Sequence, residues 1–129
     1  MEGAARSNKR LYAPVLRGKR LRFAALRRGM TLTPNRFGIL EPAGGPYFDA
    51  RSLDLVLTPL VAFDDHGVRL GMGSGYYDRC FQFLRLRSVW SKPKLIGVGY
   101  EHQHLPNIDA NAWDVRLWCA VTESNTYHF

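Results

Sequence analysis

Cysteine is scarce. Cys80 and Cys119 stand alone in 129 residues, with no CxxC pair and no even framework of half-cystines. That usage argues for two reduced thiols packed in a core, in a cytoplasmic protein, rather than for a disulfide between them. Long hydrophobic runs are missing too. No apolar stretch approaches the ~20 residues that cross a bilayer, and no signal-peptide pattern is present, so no membrane partner is expected. Internal repeats are also absent. What is present excludes a disordered chain for most of its length: 46% of residues are hydrophobic and 12% aromatic. A length of 129 residues suits one domain with a real core.

Acidic residues are almost missing from the first third. Residues 1–40 hold ten Lys/Arg (Arg6, Lys9, Arg10, Arg17, Lys19, Arg20, Arg22, Arg27, Arg28 and Arg36) against Glu2 alone, a balance of +9. Residues 41–129 hold eight Lys/Arg against ten acids, a balance of −2. The overall +7 is therefore local. A basic, partly aromatic arm can bind phosphate backbones non-specifically. No nucleic-acid motif accompanies the charge, however, so solvated faces or a rim that draws in an anionic small ligand is the favoured reading.

Along the chain, residues 1–8 are small and polar and read as a disordered tail. Arg10 to Leu16 reads as a strand, with Pro14 pointing to a strand end or a sheet edge. Leu21, Phe23 and Ala25 suggest a second strand that exits through Leu26-Arg27-Arg28-Gly29, although the same stretch suits a short helix. Residues 33–46 carry three prolines and three glycines in 14 positions and read as surface loop. Leu53 to Phe63 is the strongest strand, a near-continuous apolar run expected to be covered on both faces. Asp64-Asp65-His66-Gly67 makes a polar turn. Tyr77, Cys80, Phe81 and Leu84 fall on one face of a helix, with Arg85 and Arg87 complementing its negative pole. Lys94 to Tyr100 is a buried strand in which Gly97 and Gly99 mark close approach of a ligand or a neighbouring element. Val115, Leu117, Cys119 and Val121 alternate as a final strand. Strands alternating with a helix point to a layered α/β fold. The four histidines lack sequence partners that would make them metal ligands, His102-x-His104 included, and are read as ordinary polarity.

Arg69-Leu70-Gly71-Met72-Gly73-Ser74-Gly75-Tyr76-Tyr77-Asp78-Arg79 carries the chemistry. Strand, glycine loop and helix in that order present backbone N–H groups to an anion. The loop is neither GxxxxGK[ST] nor GxGxxG, so the usual P-loop and dinucleotide fingerprints do not apply. Its company raises the signal. Arg69 can pair bidentately with phosphate oxygens. Asp78 falls in the first turn of the expected helix and can hold Mg²⁺ against bound phosphates. Tyr76 and Tyr77 can stack on a flat ring; core packing competes evenly with function for Tyr77 and less strongly for Tyr76.

These residues resemble 5-formyltetrahydrofolate cyclo-ligase, also called 5,10-methenyltetrahydrofolate synthetase. The resemblance runs through Asp54 to Asp64, Gly67 to Arg79, Phe37-Gly38-Ile39-Leu40-Glu41-Pro42, Ile96 to Tyr100 with Gln103, Asp114-Val115 and Val121-Thr122-Glu123, roughly residues 9–124. It implies a three-layer α/β/α fold with a mixed, mostly parallel sheet over residues 9–129. It also implies ATP- and Mg²⁺-dependent conversion of 5-formyltetrahydrofolate to 5,10-methenyltetrahydrofolate, with release of ADP and phosphate. Arg69 and Gly71 to Tyr77 would cradle phosphates and border the folate, Arg69 and Tyr77 would serve catalysis, and Leu70 and Arg79 would complete the nucleotide loop. Asp78 and Asp114 would hold Mg²⁺ directly or through water.

The resemblance also has departures. Members of the family normally begin with a helical segment carrying Lys-x-x-x-Arg, followed by a helix with a pterin-gripping glutamate. Neither has a counterpart here, and Trp113 stands where histidine commonly precedes the aspartate. The expectation is an N-terminally incomplete member (a fragment, a mis-started frame or a degenerate copy), with self-association through uncovered apolar surface. The competing expectation is a non-catalytic nucleotide- or nucleic-acid-binding protein that uses the basic first third. The purified chain is therefore expected to form little or no methenyl-folate in an ATP-dependent assay; robust turnover would overturn the expectation of incompleteness.

Overall fold

The computed structural model describes residues 8–86 and 91–129. The expected tail up to residue 7, with Arg6, and Arg87 at the expected helix end lie outside the described residues. The chain packs as two compact units, Met1–Ala50 and Arg51–Phe129, taken in turn.

The first unit is built on a hairpin. Strands β1 (Tyr12–Arg17) and β2 (Arg20–Ala25) pair antiparallel from Tyr12 opposite Ala25 to Arg17 opposite Arg20. Only Gly18 and Lys19 lie between them, and Gly18 takes φ 65°, the left-handed position that a glycine-first two-residue loop requires. Of the two readings of Leu21 to Ala25, the strand is correct: Leu21, Phe23 and Ala24 are buried. Strand β5 (Tyr47–Phe48) joins β2 on its other side, so β1 is an edge strand and tolerates Pro14.

The expected loop over residues 33–46 contains structure. Leu32–Pro34 (β3) and Leu40–Pro42 (β4) form an antiparallel pair. The Asn35 side chain closes its tip by accepting from the N–H groups of Phe37 (2.9 Å) and Ile39 (3.1 Å). The Asx turn, not strand propensity, makes this hairpin. Glu41 accepts from the Leu16 N–H at 3.1 Å and from Asn35 at 3.3 Å, tying β4 to the open edge of β1.

The second unit holds a four-stranded sheet in the order β11 (Thr126–His128), β10 (Cys119–Val121), β9 (Lys94–Val98), β6 (Leu55–Thr58). The β6–β9 and β9–β10 pairs are parallel and the β10–β11 pair antiparallel, giving the mixed, mostly parallel sheet of an α/β fold. The long strand expected over Leu53 to Phe63 is instead two. Pro59, which has no N–H to give a ladder, ends β6, and Ala62–Phe63 (β7) turns away to pair with Arg69–Leu70 (β8). Nor are both faces of β6 covered: Val56 and Thr58 are buried, while Leu55 and Leu57 are 50% and 64% exposed. Central β9 is likewise better covered on one face, with Leu95 and Gly97 buried and Val98 exposed, so the buried strand expected over Lys94 to Tyr100 is half covered and ends at Val98.

The final strand is also shorter than expected. Two backbone N–H groups ahead of it go elsewhere, Val115 to the Asp78 carboxylate and Leu117 to the Gly67 carbonyl, and only from Trp118, which donates to the Leu95 carbonyl of β9, does the chain join the sheet. Strand β11 was not anticipated, although Thr122-Glu123-Ser124-Asn125 is turn chemistry. The Thr122 hydroxyl accepts from the N–H groups of Ser124 and Asn125, and Glu101 binds both Thr122 (2.6 Å) and the Tyr127 hydroxyl.

The expected helix over residues 77–84 is α1 (Tyr76–Cys80) followed by a 3-10 turn, Gln82–Arg85. Phe81, at φ −103° and ψ 11°, leaves the α region between them. Its ring and the Leu84 side chain are fully buried, so the apolar stripe anchors the segment despite the break. Gly97 and Gly99 face a neighbouring element: a Cβ at Gly97 would lie 2.7 Å from Leu117 and 2.8 Å from Leu60, and one at Gly99 2.8 Å from Leu60. Among the described residues no helix is long and apolar enough to cross a membrane. Cys119 is buried, Cys80 half-buried, and neither is in a disulfide.

Asp64, with no exposed surface, organises the turn that leads from β7 to β8. Its carboxylate accepts from the N–H groups of His66 and Val68, each at 2.9 Å, and of Ile108 at 2.9 Å. Burial raises its pKa, but the three N–H donors and nearby His66 outweigh that and hold the carboxyl below its ordinary value. A depressed folded-state pKa adds stability that is fully present above the unfolded value, ~4, and is lost as pH falls through the folded value. Asp64→Asn is expected to cost about 1–3 kcal/mol at neutral pH and to flatten the loss of stability below pH ~4, both read from urea unfolding across pH.

Candidate active site

The site grows from the end of β6. Pro59 gives up its N–H but keeps a carbonyl, and that oxygen accepts from Arg69 Nη1 at 3.2 Å. Gln103 holds this segment in place: its amide donates to the carbonyls of Leu60 (3.3 Å) and Val61 (3.1 Å) and accepts from the Tyr100 N–H at 2.6 Å. Arg69, at the start of β8, is only 9% exposed. Its Nη2 lies 3.3 Å from Asp78 Oδ1, and the same oxygen accepts from the Val115 N–H at 3.3 Å. One carboxylate thus joins the strand before the glycine loop, the helix after it and the segment of Asp114.

Between these ends runs the loop. Gly73 and Gly75 take φ 96° and 72°, which other residues adopt only with strain. Gly71 and Gly75 also leave room for the arginines: a Cβ at either would come within 2.9 Å of Arg69 Nη1 or Arg79 Nη1 respectively. Arg79 Nη1 donates to the Ser74 carbonyl at 2.8 Å and its guanidinium lies 5.0 Å from the Tyr76 ring centre. Tyr76 is buried, whereas Tyr77 is half-buried beside Arg69, whose guanidinium lies 5.7 Å from its ring centre. Burial pushes the Tyr77 hydroxyl up, against the pull of the Arg69 cation, so it is a protonated donor at neutral pH. Leu70 and Met72 are 49% and 86% exposed.

Asp114 stands beside Val115, and so next to the Asp78 contact. Its own carboxylate accepts from the Asn111 N–H at 2.8 Å and its N–H donates to the Asn111 carbonyl at 3.1 Å. Asp78 and Asp114 are hard oxygen donors on adjoining segments. Mg²⁺ commonly takes one or two carboxylates from the protein and the rest from phosphates and water, so this pair fits that ion. One further feature points to an anion. Arg69 Nε is buried and has no hydrogen-bond partner among the described residues. Such a donor is costly to leave unmet.

A family model described as the 5-formyltetrahydrofolate cyclo-ligase family matches residues 1–123. The chain belongs to the cyclo-ligase family. It is 37% identical to the 5-formyltetrahydrofolate cyclo-ligase of Escherichia coli over 135 aligned positions, covering 96% of this chain and 69% of that protein. It is 39% identical to the Haemophilus influenzae protein of the same name, covering 86% and 60%. The solution structure of Aquifex aeolicus 5,10-methenyltetrahydrofolate synthetase superposes with a TM-score of 0.77 at 32% identity, over 93% of this chain and 58% of that one. The chain thus spans somewhat under two thirds of that synthetase and somewhat over two thirds of the Escherichia coli protein. The named members are ligases, and the fold of the cyclo-ligase family is the mixed α/β fold described above.

Sequence reasoning singled out Arg69, the glycines, Asp78 and Asp114, but not what fixes them. The Pro59 carbonyl and the Val115 N–H are backbone groups with no residue signature. Gln103 was visible only as part of the family pattern. His104, by contrast, is engaged structurally: its Nε2 lies 2.6 Å from Asp65 and its ring packs on Phe63 and Tyr127. A short helix of five residues carries little macrodipole, so the positive charge here comes from the side chains of Arg69 and Arg79. A double-mutant cycle of Arg69→Met and Asp78→Asn, measured by urea unfolding, is expected to give a coupling energy of about 1–3 kcal/mol.

Proposed function

We propose that the reaction this chain serves is the ATP- and Mg²⁺-dependent conversion of 5-formyltetrahydrofolate to 5,10-methenyltetrahydrofolate, with release of ADP and phosphate, to which residues 9–129, as a cyclo-ligase domain, contribute the glycine-loop side of the Mg-ATP site. The observation that carries the reading is the buried Arg69 fork, held on Pro59 and Asp78 with Nε unmet, at the root of a glycine loop in a cyclo-ligase chain.

In that reading the formyl oxygen takes the γ-phosphoryl group of ATP as ADP leaves, attack of the second folate amine on the activated carbon closes the ring with loss of the amine proton, and departure of phosphate leaves the methenyl bridge. Mg²⁺, when held by Asp78 and Asp114, would supply charge neutralisation for the transferring phosphoryl group. This chain's residues supply fixed donors. Arg69 faces developing negative charge without reorganising, because its contacts to Pro59 and Asp78 already set its plane. Gly73, where the Cβ position is open, leaves its N–H free to approach a phosphate oxygen, and the Tyr77 hydroxyl donates as a neutral group.

The test is Mg²⁺-dependent ATP binding by titration calorimetry. Arg69→Ala and Asp78→Ala are each expected to weaken it at least tenfold, the equivalent of ~1.4 kcal/mol. Any methenyl-folate formed should appear with an equal amount of phosphate. ATP binding that needs no Mg²⁺ and ignores both substitutions would overturn the reading.

A further inference from the structure

Trp113 is a large aromatic side chain left 60% exposed beside the site, yet no part of the phosphate chemistry uses it. It borders an open cleft of about 260 Å³ together with Gly75, Asp78, Arg79 and Gln82. Pockets for whole drug-sized ligands run to ~300–1,000 Å³, so this cleft suits a single ring system rather than a complete nucleotide or folate.

The walls are held. Trp113 lies in the turn that the Asn111 and Asp114 backbones close, with the Asp114 carboxylate on the Asn111 N–H at 2.8 Å fixing it from the other side. Arg79 is fixed by the Ser74 carbonyl at 2.8 Å and by the Tyr76 ring beneath its guanidinium. Gln82, on the 3-10 turn after α1, exposes an amide with donors and an acceptor. The cleft therefore combines an indole face, a planar guanidinium and a primary amide. Asp78 belongs both to this cleft and to the Arg69 pair, so a ring bound here is contiguous with the proposed phosphate end.

We propose that Trp113, Arg79 and Gln82 form a stacking slot for a fused nitrogen heterocycle, with the indole under the ring and the Gln82 amide on its edge. Two substrates of the proposed reaction contain such a ring: the nucleotide base and the pterin. The assignment rests on the reading of Arg69 and Asp78 as the phosphate end, and its test separates the two.

The full chain and its Trp113→Ala, Trp113→Phe, Gln82→Ala and Arg69→Ala variants are titrated with Mg-ATP, adenosine, Mg-tripolyphosphate and 5-formyltetrahydrofolate. Trp113→Ala is expected to weaken a ring-bearing ligand about 5- to 100-fold, the range set by stacking on one aromatic side chain. Trp113→Phe should recover most of that loss, Gln82→Ala should weaken the same ligand, and Mg-tripolyphosphate should bind Trp113→Ala as it binds the parent. Loss confined to Mg-ATP and adenosine assigns the nucleotide base; loss confined to 5-formyltetrahydrofolate assigns the pterin. Because the indole is largely exposed, unchanged melting of Trp113→Ala checks that the fold is intact. Unchanged affinity for every ring-bearing ligand in Trp113→Ala, or no ring-bearing ligand bound by the parent chain, overturns the slot. If Arg69→Ala leaves Mg-tripolyphosphate and Mg-ATP untouched while Trp113→Ala still weakens a ring-bearing ligand, the phosphate reading falls and the slot stands.

Discussion

Arg69 and Asp78 meet at 3.3 Å where the arginine side chain is almost wholly buried, and the site depends on that contact. A buried guanidinium needs acceptors on its whole fork, and a carboxylate beside it needs donors. Groups far apart in sequence answer most of these demands, the Pro59 carbonyl for Arg69 Nη1 and the Val115 N–H for the aspartate, while Arg69 Nε has no partner among the described residues. The pair therefore pulls three chain segments to one point, and the glycine loop hangs between its two members. The loop's conformation follows from where its ends are tied.

What holds those ends is ordinary packing and hydrogen bonding of the second unit. Leu60 fills the space over Gly97 and Gly99, where any Cβ would collide with it, and Gln103 takes the Leu60 and Val61 carbonyls that the broken strand leaves unpaired. Asp64, satisfied by three N–H donors, shapes the turn that delivers Arg69. Phe81 and Leu84 sink the far side of the loop into the core. Each of these residues acts on the chemistry only through position.

Local rules read some of this chain well. Period-two alternation identified β2, an apolar run located β9, and Pro14 correctly marked an edge. They read other parts poorly, for identifiable reasons. The apolar run from Leu53 to Phe63 looks continuous because composition does not register the break that Pro59 imposes on hydrogen bonding. The β3–β4 hairpin hides in a proline- and glycine-rich stretch because one asparagine side chain, rather than strand propensity, closes it. Residues 115–117 alternate like a strand, yet the Val115 and Leu117 N–H groups answer to a carboxylate and to a turn carbonyl outside the ladder. In the site, the glycine motif exposed Arg69 and Asp78 and the family resemblance pointed to Asp114, while the backbone partners that orient Arg69 and Asp78 carry no side-chain signature.

The sequence by itself determined the family, the α/β class and the identity of the charged groups, because glycines at alternate positions flanked by arginine, tyrosines and aspartate are a local pattern. Only the tertiary structure decided which of those groups are coupled. Burial of Arg69 and of Tyr76, the bond from Asp78 to Val115, and the exposure of Trp113 beside Arg79 are properties of segments brought together across the fold. Their energies depend on neighbours and on exclusion of water, and no window of sequence contains either.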